Sequence, residues 1–149
     1  MQADWGIVGL GNPLAGDDGV GCWLAELLHK TFPSRWIHDL GADLLKIPAL
    51  QPYPKHLILL DALRSGAKPG FLHHLSEDRL LQGPTTATAH GFGLKVTLGL
   101  LRQTDDAFCK IKREWWLIEV EQIHQLFVLS PNVQAGAEQL FKQLTKQLQ

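Results

Sequence analysis

What the sequence has little of narrows the field first. Only two cysteines, Cys22 and Cys109, occur in 149 residues. They are far apart and in no C-x-x-C spacing, so neither a disulfide framework nor a structural zinc site is written into the chain. A reducing, cytoplasmic setting is the expectation. Charge of one sign is missing too. Fourteen Lys and Arg against 15 Asp and Glu leave a formal net charge of -1, which offers no basic field to nucleic acid or to an anionic membrane surface. No window approaches the ~18 consecutive apolar residues that a membrane helix requires, so no membrane insertion is expected. Met1-Gln2-Ala3-Asp4-Trp5 places no basic region ahead of an apolar run, and a signal peptide is not expected either. Familiar hydrolase signatures are absent. The four serines, Ser34, Ser65, Ser76 and Ser130, sit in no G-x-S-x-G elbow, and there is no H-E-x-x-H. No repeat, low-complexity tract or linker divides the chain, so residues 1–149 are expected to form one domain.

What is present is a globular composition, 45% hydrophobic and 19% charged, in which short apolar runs alternate with amphipathic stretches. WGIVG at residues 5–9 reads as a buried strand, and residues 18–31 as a helix ended by Pro33. A second strand is expected over 35–39 and a short irregular helix, containing Pro48, over 43–50. HLILL at 56–60 is apolar nearly throughout, as strands covered on both faces tend to be, and Asp61 closes it. Residues 71–75 read as an edge strand, 82–88 as a loop, 90–102 as a helix and 115–120 as a last strand. Ser130-Pro131 opens a final helix, with serine as cap and proline at its first position. The pattern predicts a three-layer α/β/α sandwich around a mostly parallel sheet of about five strands.

Chemistry-bearing residues concentrate in Gly9-Leu10-Gly11-Asn12-Pro13-Leu14-Ala15-Gly16-Asp17-Asp18-Gly19-Val20-Gly21, between the first strand and the first helix. Its opening G-x-G suggests a dinucleotide loop, but Leu14 replaces the third glycine, and Asp17 and Asp18 stand where phosphates would sit. The simplest alternative is that the two aspartates are helix caps. One cap needs one aspartate, however, and Gly19 and Gly21 each cost the first turn about 1 kcal/mol against alanine. That cost is better understood if something must approach the backbone closely.

Asp61 is the second candidate, a carboxylate at the end of the most buried strand, where open α/β sheets bind ligands; a turn-forming role is equally compatible with a lone Asp there. The third is His90, set between Thr85-Thr86-Ala87-Thr88-Ala89 and Gly91-Phe92-Gly93. In a mostly parallel sheet, Asp18, Asp61 and His90 can meet at one edge. Two carboxylates and an imidazole form an open ligand set for a borderline transition metal, with Asp39 in a supporting position. Cys22 reads as a packing residue and Cys109 as part of a lysine-rich loop. His73 and His74, adjacent on an edge strand, point to opposite faces and form no natural chelate.

The chain resembles the nickel-iron hydrogenase maturation endopeptidases. The resemblance is carried by GLGNPLAGDDGVG at 9–21, LILLDAL at 57–63, TAHGFGL at 88–94 and LSPNV at 129–133, in family order. It implies a twisted α/β/α sandwich and an enzyme that removes a C-terminal extension from the hydrogenase large-subunit precursor after nickel insertion. It further implies that Asp18, Asp61 and His90 are the catalytic residues and contact nickel. That nickel is carried by the substrate, and no tightly bound cofactor of the protein's own is expected. A monomer is expected, with the precursor as partner. The chain departs from the family pattern after Asp39, where Leu40-Gly41-Ala42 replaces the usual glycine pair, and at Ala89 before His90. Two rival readings are a non-catalytic chaperone that clasps the precursor tail and a nucleotide-binding α/β module.

Overall fold

The central apolar run extends further than HLILL. Its strand covers His56–Arg64, with residues 57–63 all buried, so Asp61 lies inside the strand rather than closing it. The computed structural model describes residues 2–83, 85–86, 93–121 and 128–149. In chain order its elements are β1 (Trp5–Gly9), a 3-10 segment (Pro13–Gly19), α1 (Val20–Thr31), β2 (Trp36–Asp39), a second 3-10 segment (Leu44–Leu50) and β3 (His56–Arg64). There follow β4 (Leu72–Leu75), α2 (Glu77–Gln82), β5 (Thr85–Thr86), α3 (Gly93–Thr104), α4 (Asp106–Lys110), β6 (Lys112–Glu119) and α5 (Pro131–Leu148).

The sheet order is β2-β1-β3-β6-β4. β1, β2, β3 and β6 run parallel and β4 lies antiparallel on the β6 edge. This is the mostly parallel five-strand sheet expected, with one addition. β1 stops opposite Leu60, and the two-residue β5 pairs antiparallel with Leu63 and Arg64 beyond that point.

Strand alternation sorts the core onto two faces. Ile58, Leu60 and Ala62 meet α1 and α5 through Val20, Leu24, Leu28, Ala137 and Leu140. Leu57, Leu59 and Leu63 face the other way, toward Leu44 and Ile47 of the second 3-10 segment and Leu94, Leu98 and Leu101 of α3. The three layers follow from this double burial, each fully buried Leu or Ile contributing about 1.5–3 kcal/mol. Asp61 falls between Leu59 and Leu63 in the alternation and therefore belongs to the α3 face.

Two short helices fall where the sequence pattern is weak. α2 has Ser76 as its cap, accepting from the Arg79 amide at 3.3 Å, and α4 has Asp105, accepting from the Phe108 amide at 3.0 Å. Cys109 thus lies on a helix, not in a loop. α2 is held by Glu77, whose buried carboxylate accepts from Arg113 (2.7 and 2.9 Å), Arg102 (2.7 Å) and the Trp115 indole (3.1 Å). Burial alone would push the Glu77 carboxyl up, but the hydrogen bonds and charges of Arg113 and Arg102, with the indole, hold it below the ordinary carboxylate range.

A folded-state pKa below the unfolded one stabilises the protein above the unfolded value, about 4.3 for Glu, and that stability is lost as pH falls through the folded one. Glu77→Gln is expected to cost about 3 kcal/mol at neutral pH, since it leaves a buried arginine uncompensated. The loss should shrink below about pH 4, where the native carboxylate also begins to protonate. Urea unfolding at pH 7 and at pH 3.5 measures both; a pH-independent loss would contradict the ionic origin.

Candidate functional site

The glycine-rich segment turns between β1 and α1 at the carboxyl edge of the sheet. Asn12 starts it, its side-chain oxygen accepting from the Leu14 amide at 3.1 Å. Its glycines are explained by the chain's own backbone. A Cβ on Gly21 would collide with the carbonyls of Leu10 and Leu60, one on Gly9 with the carbonyl of Gly21, and one on Gly19 with Pro13 Cα at 2.5 Å. Gly11, at φ 140°, is closed against the Asp18 carbonyl in the same way. What approaches the backbone closely is therefore the protein itself. The Leu10 amide donates to the Leu60 carbonyl at 2.8 Å and the Gly11 amide to the Gly41 carbonyl at 2.9 Å. The glycines that would admit a pyrophosphate are thus occupied internally.

The capping reading of the aspartates also gives way. α1 begins after Gly19, which makes no side-chain cap, and both carboxylates reach elsewhere. Asp18 is bound by Arg64 of β3, whose guanidinium Nη2 lies 2.5 and 2.6 Å from its two oxygens. Asp17 accepts from both the amide and the hydroxyl of Ser130, at 2.6 and 2.8 Å, and so ties the start of α5 to the segment. Ser130 is the α5 cap residue that its sequence predicts, but its hydroxyl serves Asp17 instead of the helix.

Asp61 is 1% exposed and accepts from the Ala62 amide at 2.8 Å. Its strand brings it three residues from Arg64, so both predicted carboxylates gather at the C-terminal end of β3. Asp39 ends β2 and accepts from the Gly41 amide at 2.9 Å. Cys22 lies among them on α1, its thiol reaching the Gly11 carbonyl at 3.5 Å. Burial, then the neighbouring Asp39 and Asp61 carboxylates, push that thiol well up, so it stays protonated.

Sequence reasoning missed Arg64, the Ser130 hydroxyl and the placement of Cys22. A signal for Arg64 existed in its position three residues past Asp61; nothing local marked the other two.

His90 lies outside the described residues. Among the described residues no group of three His, Cys, Asp or Glu side chains is placed to hold a metal ion. The two edge-strand histidines diverge as expected, His73 toward Glu119 at 2.9 Å and His74 stacked on Trp116 at 4.1 Å.

The fold has known counterparts. The model of the hydrogenase maturation protease family matches residues 23–147, and the chain belongs to that family. The matched span includes Asp61 and begins after Asp18. Among solved structures, the chain is similar to the NiFe hydrogenase maturation protease HybD from Thermococcus kodakarensis, with 23% identity, full coverage of both chains and a TM-score of 0.83. It is similar to the hydrogenase maturating endopeptidase HybD from E. coli, with 25% identity over 99% of this chain and 92% of that one and a TM-score of 0.74. The endopeptidase HycI from Escherichia coli aligns at 21% identity over 95% and 88% of the two chains, with a TM-score of 0.68. A comparison with curated protein sequences gave no match. The protein is accordingly a hydrogenase maturation protease in fold and family.

The Asp17 tie carries a prediction. Asp17→Ala removes the acceptor for a partly buried amide and hydroxyl and is expected to cost about 1–3 kcal/mol. Faster amide exchange should appear at Ser130 and the first turn of α5. Unchanged exchange there, measured by mass spectrometry, would show that Ser130 does not depend on Asp17.

Proposed function

We propose that this protease removes a C-terminal extension from a nickel-iron hydrogenase large-subunit precursor, and that nickel already seated in the precursor is what it recognises. The observation that carries the reading is the pair of buried carboxylates, Asp18 and Asp61, at the carboxyl edge of β3, with no serine elbow or zinc motif to supply another route. His90 is the third donor of the proposed set. The metal belongs to the substrate, which is consistent with an open donor set.

Arg64 has a defined part in this reading. In the free protein it neutralises Asp18. Its side chain is 33% exposed while that of Asp18 is 4% exposed, so the arginine is the partner that can swing outward when a substrate cation arrives. Engagement of the nickel by Asp18, Asp61 and His90 then holds the scissile peptide beside it. The metal acts as Lewis acid toward the peptide carbonyl or the attacking water, and a carboxylate not engaged with it can take the proton from that water as general base. Water adds to the carbonyl carbon, and collapse of the tetrahedral adduct re-forms the carbonyl and breaks the C–N bond as the proton passes to the leaving amine. The protein itself contributes positioning and charge, and no covalent acyl intermediate is required.

Asp18→Ala, Asp61→Ala and His90→Ala are each expected to lower processing of a nickel-loaded precursor at least a hundredfold, read by mass spectrometry of the large subunit before and after incubation. Precursor without nickel should remain full length. Full activity in the Asp18 or His90 variant, or equal cleavage of nickel-free precursor, would sink the proposal.

A further inference from the structure

Just beyond the end of β3, between β4 and the end of α2, lies a pocket of about 330 Å³ lined by Ser65, His73, Leu75, Arg79, Gln82 and Gly83. Its volume is at the lower end of the range of small-ligand sites. Two of its lining residues, Ser65 and His73, are bonded to a buried carboxylate whose charge is thereby engaged. Glu119, with a side chain 2% exposed, accepts from the Ser65 amide at 2.8 Å, from the Ser65 hydroxyl and from His73 Nε2 at 2.9 Å. Arg79, by contrast, is exposed and has no carboxylate partner among the described residues. Its backbone is held in place by the Glu77 clamp two residues earlier, which fastens α2 to β6 and α3. With Ser65 and His73 turned to Glu119, the pocket presents the exposed Arg79 guanidinium and the Gln82 amide, two donors suited to a carboxylate.

Register places this pocket relative to the site. Asp61 and His73 are both paired with Leu117, from opposite sides of β6. Directly paired residues share a face, so Asp61 and His73 lie on the α3 face, two strand spacings or about 10 Å apart. An extended peptide covers that distance in about three residues.

We propose that this pocket is a specificity subsite that takes a carboxylate of the peptide substrate, with Arg79 as its anchor, about three residues from the scissile bond. The inference rests on the proteolytic reading above for the identity of the ligand as substrate, and on the pocket alone for its chemistry. The carboxylate can be an acidic side chain or the end of the chain.

Both parts are testable separately. The full chain is titrated, with NMR detection of the Ser65 amide and the Arg79 guanidinium, against acetyl-Ala-Ala-Ala with a free carboxylate, acetyl-Ala-Glu-Ala amide and acetyl-Ala-Ala-Ala amide. Saturable shifts with either acid and not with the last peptide are expected, and they should vanish in Arg79→Ala. A response to the first alone identifies a chain end, and one to the second an acidic side chain. Equal response to the uncharged peptide, or persistence in Arg79→Ala, would overturn the subsite. In precursor processing, Arg79→Ala is expected to raise KM about tenfold with kcat nearly kept, as for loss of a charge-assisted contact made equally before and during reaction. A fall in kcat with KM unchanged would overturn the assignment to binding. Carboxylate binding by a protein that processes no precursor would overturn the proteolytic reading and uphold the pocket.

Discussion

The close approach of α1 to the ends of β1 and β3 is the constraint on which the rest of the site depends. Gly9 and Gly21 allow helix backbone to rest on strand backbone, and Gly11 and Gly19 let the intervening segment fold back against itself. The consequence is positional. Because the segment is pinned to Leu60 and Gly41 by backbone hydrogen bonds, the two aspartates that follow have few places to go. One faces β3 and the other faces α5. A larger residue at any of these glycines would have to push apart backbone, which yields much less readily than side chains.

From that constraint the division of labour between adjacent acidic residues follows. Asp17 is used structurally, recruiting Ser130 and with it the start of the last helix. Asp18 is paired to an arginine that is more exposed than itself. Two neighbours of identical chemistry thus take different work because the 3-10 segment turns them in different directions. Buried carboxylates recur through the molecule, and those at Glu77, Asp105 and Glu119 are engaged by several donors each. Such saturation is what permits acidic groups in a core of this size without neutralisation. Asp18, for its part, is paired with an arginine that is itself partly exposed.

Much of the architecture was legible in the residues. The run at 56–60 announced a doubly covered strand, and the Ser130-Pro131 start and the apolar stripe of α5 were readable from spacing. The misses share a cause. α2 and α4 span six and five residues, too few for a helical period to emerge, and only their cap residues could have marked them. β5 exists because β1 ends early and leaves β3 an edge to pair, which no local pattern encodes. Asp61 appeared to end a strand because the apolar run breaks there, whereas pairing with β6 carries the strand to Leu63 and pairing with β5 carries it to Arg64.

The sequence by itself determined the layered α/β architecture and the order of the glycine-aspartate segment, since the first follows from periodicity and the second is local. It also showed neither a G-x-S-x-G elbow nor an H-E-x-x-H motif. Tertiary structure alone decided which carboxylate serves the fold and which faces Arg64, that Cys22 sits among acids, and that His73 and Asp61 share a line across the sheet. Those facts depend on strand register and on backbone contact between segments far apart in the chain, and a one-residue slip in register would move a strand residue such as Asp61 or His73 to the opposite face.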